Sequence, residues 1–209
     1  MVKVKICGVT TLADALAACE AGADALGFNF AEEAKARGRY IDPGAAAAIV
    51  SELPSCVITV AVTVNANPDR LREYLTFLDR VQLHGEEPPE TCALFGWRAI
   101  KAFRIADGFQ PESMLAYRAG AYLLDASVPG ARGGTGQTCD WAAAKRATVL
   151  ERPVFLAGGL TPDNVAEAVR AVQPYGVDTA SGVESSPGKK DHGRIRDFVR
   201  NAKLSVPGC

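Results

Sequence analysis

Apolar runs and helical patterns alternate along the whole chain, and this alternation constrains its fold more than any other feature. Strands that alternate with helices pair in parallel through crossover helices. Eight such units in 209 residues predict an α/β protein, a single (β/α)8 TIM barrel with eight parallel strands. The predicted strands lie at 2–7, 24–28, 57–64, 80–83, 98–102, 121–125, 153–157 and 176–179, and the predicted helices at 11–21, 43–52, 68–78, 88–94, 110–119, 140–149, 163–172 and 191–202.

An open doubly wound sheet fits the chain less well. Such a sheet would carry a glycine-rich dinucleotide turn after its first strand, and the CGVTT segment at 7–11 is not one. No linker or change in composition divides the chain, so residues 1–209 are predicted to form one domain. Gly22, Gly120 and Gly176 precede strands two, six and eight, where a glycine cap at the end of a helix would explain each.

Charge and cysteine usage exclude several classes of function. The 23 basic and 24 acidic residues nearly cancel, so no strong field attracts nucleic acid or a membrane surface. The six cysteines are dispersed and form no C-x-x-C pair, which argues against a zinc site and a disulfide scaffold. The start of the chain does not resemble a signal peptide, and no apolar run reaches membrane-spanning length. These features predict a cytoplasmic protein without a metal.

Polar and reactive side chains collect where the predicted strands end. In a barrel the active site forms at the carboxyl ends of the strands, so this placement predicts one site. The residues at these ends are Cys7, Asn29, Asn65, His84, Lys101, Asp125, Gly158, Gly159, Asp178, Ser181 and Gly182.

Cys7 is the most suggestive member of this set. A buried small hydrophobe is the commoner fate of a lone cysteine, but a thiol at a barrel opening suits a reactive role. Strand parity places Lys5 on the same face as Cys7. Lys5 either pairs with an inward carboxylate or helps to hold Cys7 as a thiolate. Such help would matter because the pKa of a free cysteine is about 8.5.

Glycine-rich loops follow the last three strands. They lie at 133–136, 157–160 and 180–183, and their main-chain N–H groups predict a phosphate site.

His84 is either a satisfied loop histidine or a site residue. Arg37 and Arg39 are either solvated or able to present a bidentate fork to a carboxylate.

The chain resembles the phosphoribosylanthranilate isomerase family of tryptophan biosynthesis over nearly its whole length. The order and spacing of several motifs carry the resemblance, namely KICGVT, GADALGFNF, RYIDP, VQLHGEE, LLDA, GGTGQTCDW, AGGLTPDNV and GVDTASGVESSPGKKDH. The resemblance implies a (β/α)8 barrel that needs no metal or cofactor. It implies an Amadori rearrangement of N-(5-phosphoribosyl)anthranilate to 1-(2-carboxyphenylamino)-1-deoxyribulose 5-phosphate.

The same resemblance assigns roles to individual residues. It implies Cys7 as the general base and Asp125 as the general acid, and Arg39, His84 and Asp178 as contacts to the substrate. Arg37 remains an alternative to Arg39 as the partner of the substrate carboxylate. The backbone of the three glycine loops would hold the phosphate, through Gly133, Gly134, Gly136, Gly158, Gly159, Ser181 and Gly182.

Two other functions compete with this interpretation. The first is the aminoaldose isomerase of histidine biosynthesis, or a barrel with both specificities. The histidine enzyme performs the same rearrangement, but it would require a carboxylate base on the first strand, where this chain has Cys7. A catalytically idle barrel that binds a phosphorylated metabolite would have lost the acid or the base. We expect a small phosphosugar–anthranilate substrate, no nucleic acid or membrane partner, and a monomer or homodimer.

Overall fold

Eight parallel strands form a closed barrel in the computed structural model, which describes residues 1–105, 108–125, 141–150 and 152–205. Each strand pairs with the next along the chain, and the eighth pairs with the first, so the sheet has no free edge. This confirms the predicted fold class. We refer to the end of the barrel at which the strands end as the barrel mouth. The strands are β1 Lys3–Cys7, β2 Ala25–Asn29, β3 Ile58–Thr63, β4 Arg80–Leu83, β5 Ala99–Arg104, β6 Ala121–Asp125, β7 Val154–Ala157 and β8 Gly176–Thr179.

Helices cover the outer face of the barrel. Capping side chains mark where several of them begin. At the start of α3, the Asn67 side chain accepts a hydrogen bond from the N–H of Arg70, and Pro68 occupies the first turn. In the described part of the chain, no helix has the length and apolar character needed to cross a membrane. The α-helices are α1 Leu12–Glu20, α2 Pro43–Ser51, α3 Pro68–Tyr74, α4 Pro89–Phe95, α5 Trp141–Ala147, α6 Val165–Val172 and α7 His192–Leu204.

Two segments differ from the prediction. The helix predicted at 110–119 is a short 3₁₀ helix, Pro111–Ala116. The backbone is extended on both sides of it, so six residues close tight i to i+3 turns instead of a longer α-helix. After β8, the antiparallel strands β9 Glu184–Ser186 and β10 Lys189–Lys190 form an unpredicted hairpin at the barrel mouth.

Two apolar layers account for the packing. The inner layer lies within the barrel and contains only strand residues, among them Val60, Ile100 and Leu123. The outer layer joins the opposite strand faces to the helices, as Leu26, Leu124 and Phe198 illustrate. Burial on both faces explains why the strands are continuous apolar runs without polar alternation.

The three junction glycines serve different purposes. Gly22 follows α1 with a φ of 90°, which agrees with the predicted helix cap. The cap interpretation is wrong for Gly120 and Gly176, because neither adopts a positive φ. Both are needed for close packing. A Cβ on Gly120 would overlap the carbonyl of Trp97, and a Cβ on Gly176 would overlap the ring of Phe155.

We predict that Gly120→Ala destabilises the protein by about 3 kcal/mol, because backbone atoms on both sides of the contact cannot yield. Gly44→Ala is the matched control. It lies in the first turn of α2, where an added Cβ meets only the Asp42 side chain. Urea unfolding of both variants measures the difference, and equal midpoints would contradict the packing argument.

Candidate functional site

The inner faces of the strands converge on the barrel mouth. Leu123 belongs to the inner layer, so Asp125, two residues later on the same strand, also faces inward. The same parity directs Cys7 of β1 and Asp178 of β8 into the barrel. The predicted acid and base therefore lie on β6 and β1, with only β7 and β8 between them on one side.

A buried ion pair lies beneath Cys7. The Lys5 Nζ atom is 2.8 Å from the Asp178 Oδ1 atom, and both side chains are almost fully buried. The charge of Lys5 also acts on Cys7 and favours its thiolate. Gly27 on β2 makes room for both groups, since a Cβ there would lie 2.9 Å from the Cys7 sulfur and 3.1 Å from the Lys5 Nζ atom. The structure thus brings three of the sequence-selected residues together.

The protonation of Cys7 follows from this environment. Burial raises the pKa of the Cys7 thiol above its ordinary value, while Lys5 and Lys190 act in the opposite direction. Lys5 pairs with a carboxylate and also favours the thiolate, the two roles that the sequence left open, but its effect on the thiol does not outweigh burial. Its charge is shared with Asp178, which itself raises the pKa of the thiol. In the free protein, the neutral thiol is the favoured form near neutral pH.

Arg39 is already held by a carboxylate that sequence analysis did not select. Its Nε and Nη2 atoms each donate to Glu184, both at 2.8 Å, and both side chains are mostly buried. The N–H groups at the Nη1 end of the guanidinium point away from this bidentate contact. Arg37 ends an exposed 3₁₀ helix, Glu32–Arg37. The geometry therefore favours Arg39 over Arg37 at the barrel mouth.

His84 connects the predicted acid to the barrel interior. Its Nε2 atom lies 3.7 Å from the Asp125 Oδ2 atom, and its Nδ1 atom lies 3.0 Å from the Gln82 amide nitrogen. Gln82 is almost fully buried, and among the described residues its Oε1 atom has no hydrogen-bond partner. With the amide oriented in this way, Nδ1 accepts and Nε2 carries the proton that faces Asp125.

The loops after β7 and β8 are tied together. The Thr179 hydroxyl donates to the Leu160 carbonyl at 2.7 Å, and a Cβ on Gly182 would overlap that same carbonyl. Gly158 and Gly159 adopt φ values of 91° and 65°, which suit glycine. Ser181 opens the following 3₁₀ helix, Ser181–Val183. The third predicted phosphate loop, with Gly133, Gly134 and Gly136, lies outside the described residues.

Lys101 does not belong to the site. Its neighbours Ile100 and Ala102 are in the inner layer, so its side chain faces outward. There it is buried and lies 2.7 Å from the Glu87 Oε2 atom. Glu87 also accepts from the N–H of Asn65, which places this pair between strand ends and α4. Within the described ranges, no group of three His, Cys, Asp or Glu residues is arranged to hold a metal.

Four residues at the site escaped the sequence analysis. Gln82 sits inside an apolar run, and Gly27 looks like an ordinary strand residue. Glu184 and Lys190 lie in the GVESSPGKKDH motif, which carries the family resemblance without implying a role for either residue. Their positions between glycines, on either side of Pro187, could have marked a loop that returns to the barrel mouth.

Comparisons with known proteins agree with this geometry. The family model described as N-(5'phosphoribosyl)anthranilate (PRA) isomerase matches residues 4–201. N-(5'-phosphoribosyl)anthranilate isomerase of Geobacter sulfurreducens is 52% identical over 205 residues, which is 97% of this chain and 99% of the relative.

Solved structures of similar proteins cover the chain equally well. Phosphoribosyl anthranilate isomerase from Thermotoga maritima has a TM-score of 0.88 at 43% identity, covering 98% of this chain and 100% of its own. A phosphoribosyl anthranilate isomerase in complex with reduced 1-(o-carboxyphenylamino)-1-deoxyribulose 5-phosphate has a TM-score of 0.84 at 41% identity, with the same coverage.

We predict that Gln82→Met does not destabilise the protein although it removes a buried hydrogen bond to His84. Loss of that bond is offset because the unpaired Oε1 atom is removed as well, so the free energy of unfolding should stay constant or rise by about 1 kcal/mol. Urea unfolding measures the change, with exposed Gln110→Met as the control. A loss of more than about 2 kcal/mol would show that the Gln82 amide is fully paired.

Proposed function

Because the chain belongs to the N-(5'-phosphoribosyl)anthranilate isomerase family, we propose that Cys7 and Asp125 perform the two proton transfers of this isomerisation. The reaction converts an aminoaldose phosphate into an aminoketose phosphate and needs no outside oxidant, since hydrogen moves within the sugar. One acid and one base at one barrel mouth suit it. The observation that carries the proposal is that Cys7 on β1 and Asp125 on β6 both face into the barrel. Between these strands lie β7 and β8, whose loops are predicted to bind the phosphate.

Asp125 would act first as the general acid. Opening of the aminofuranose requires a proton on the ring oxygen, and a protonated carboxyl group can supply it. His84 Nε2 faces the same carboxyl group at 3.7 Å. The imidazole is therefore placed to donate to the carboxylate that remains after the transfer, and it keeps this side chain directed at the substrate.

Cys7 would then act as the general base. Ring opening leaves a Schiff base, which makes the proton on the sugar C2 acidic. The thiolate of Cys7 removes that proton to give an enolamine, which tautomerises to the ketone. The raised pKa of the Cys7 thiol makes its thiolate a stronger base, although a smaller fraction is present near neutral pH.

Arg39 and the glycine loops would bind the two ends of the substrate. Arg39 uses one edge of its guanidinium for Glu184, and the other edge remains suited to the aromatic carboxylate. The backbone around Gly158, Gly159 and Ser181 would bind the phosphate at the opposite end. The carboxyphenylamino sugar phosphate bound by the similar solved structure supports this substrate class.

The cellular setting is consistent with such an enzyme. The six cysteines are dispersed along the sequence without a C-x-x-C pair, a usage that is typical of proteins kept in a reducing compartment. A cytoplasmic location is therefore part of the proposal.

We predict that Cys7→Ala and Asp125→Asn each lower turnover by about 10³-fold, because each removes one proton-transfer group. The assay follows the loss of anthranilate-type fluorescence after freshly made phosphoribosylanthranilate is added. Cys19→Ala and the exposed Asp69→Asn are matched controls and should retain activity. Wild-type turnover in either site variant would remove its assigned role, and no turnover by the wild type would favour the idle barrel.

We predict that Arg39→Met raises the KM by about 10–100-fold, because a charge-assisted contact to the substrate carboxylate is lost. Arg37→Met should leave the KM unchanged, since Arg37 is exposed. The inhibition constant of inorganic phosphate, a competitive inhibitor, shows whether Arg39→Met leaves the phosphate-binding end of the site intact. A matched loss of phosphate affinity in Arg39→Met would point to general disruption of the barrel mouth instead.

A further inference from the structure

Lys190 is a buried cation to which neither the family motifs nor the mechanism above gives a role. It ends β10, and its side chain is fully buried while that of its neighbour Lys189 is exposed. The Lys190 Nζ atom donates to the Ala180 carbonyl at 3.0 Å and to the Glu184 Oε1 atom at 2.9 Å. These contacts hold the ammonium group at the end of β8, next to the strand that carries Cys7.

The counterion of Lys190 is shared. The same Glu184 Oε1 atom that accepts from Lys190 also accepts from the Arg39 Nε atom at 2.8 Å. Its second oxygen is occupied by the Arg39 Nη2 atom. One carboxylate therefore serves two buried cations, and Lys190 receives only part of its negative charge.

The two linked ion-pair clusters, Lys5 with Asp178 and Lys190 with Arg39 and Glu184, do not balance in charge while the Cys7 thiol is neutral. Three cations, namely Lys5, Lys190 and Arg39, face two carboxylates, Asp178 and Glu184. Lys5 is matched by Asp178, so the surplus positive charge belongs to the pair that shares Glu184. Unbalanced charge is costly in a buried environment, and a thiolate at Cys7 would neutralise it.

We propose that Lys190 is a positioning residue for the base, whose ammonium group stabilises the thiolate of Cys7 and so sets how much base is available. The inference rests on the role proposed for Cys7 above. The charged groups that act on Cys7 are Lys5 from β1, Asp178 from β8 and Lys190 from β10, while β2 contributes the uncharged Gly27. Of the two cations, only Lys190 lacks a counterion of its own.

The titration behaviour of the two groups agrees with this assignment. Burial lowers the pKa of Lys190 below its ordinary value, and Glu184 and Cys7 both oppose that change. Conversely, Lys190 lowers the pKa of Cys7 against the larger effect of burial. A neutral side chain at position 190 would leave burial and Asp178 opposed by Lys5 alone.

Two variants with opposite expected effects test the proposal. The rate of Cys7 alkylation by iodoacetamide is measured against pH without substrate, by mass spectrometry of the peptide that contains Cys7. Lys190→Met should move the midpoint to higher pH, and the rate at pH 8 should fall about tenfold. Glu184→Gln removes a negative charge beside Lys190, so its midpoint should move to lower pH. Lys189→Met is the matched control and should titrate like the wild type.

These measurements separate an electrostatic role from a structural one. A structural role, in which Lys190 only ties the hairpin to Ala180, would change stability in both variants without opposite shifts of the midpoint. Unchanged midpoints, or shifts in the same direction, would overturn the proposal. If Lys190→Met does not fold, Lys190→Gln replaces it, because it removes the same charge and keeps a group that can donate to the Ala180 carbonyl.

Kinetics distinguish this inference from the proposed function. In Lys190→Met, the rising limb of kcat/KM against pH should move by the same amount as the alkylation midpoint. If the alkylation midpoint moves while the kinetic limb does not, Lys190 still tunes the thiol but Cys7 is not the base. If neither midpoint nor limb moves, the role of Lys190 is rejected whatever the base is.

Discussion

The parallel pairing of β8 with β1 closes the barrel, and it places Lys5 directly opposite Asp178 in the register. The two residues are 173 positions apart in the chain, yet their side chains meet at 2.8 Å inside the barrel. Removing one partner of a buried ion pair typically costs about 3–5 kcal/mol, so closure and charge pairing support each other. The position of Cys7, two residues beyond Lys5, depends on both. A slip of one residue in this register would turn Lys5 and Cys7 toward the outer layer.

Burial and charge act in opposite directions on the thiol at the barrel mouth. An apolar barrel interior favours the neutral thiol, whereas the cations around it favour the thiolate. A reaction that removes a carbon-bound proton benefits from a strong base, and a raised pKa provides one at the cost of a smaller thiolate fraction. The charge of Lys5 is largely neutralised by its ion pair with Asp178. Further lowering of the Cys7 pKa therefore depends on Lys190, which lies in the hairpin after β8, far from Cys7 in the sequence.

The sequence predicts the barrel well because strands buried on both faces leave a clear apolar signal. Alternation along β1 correctly placed Lys5 on the same face as Cys7. The rule that residues at strand ends contribute to the site also selected Lys101 on β5, but its side chain faces outward. Which face of a strand looks inward depends on register between strands, and a single strand does not reveal it. The pairing of Arg39 with Glu184 spans 145 residues, and only the folded chain brings them together. The prediction that Gly120 is a helix cap was wrong for the same reason. The residue that requires a glycine there is Trp97, which lies in another segment of the chain.

Cys7 and Asp125, the two residues proposed to transfer protons, occupy different environments within one barrel mouth. Cys7 lies on the side of β1 and β8, among fixed cations and carboxylates that control its charge. Asp125 lies on β6 and faces an imidazole, whose orientation depends on the amide of Gln82. Groups that must give and accept protons at the same pH need environments that move their proton affinities apart. A closed barrel provides this because each strand contributes its own side chain to one opening, while its neighbours supply different partners.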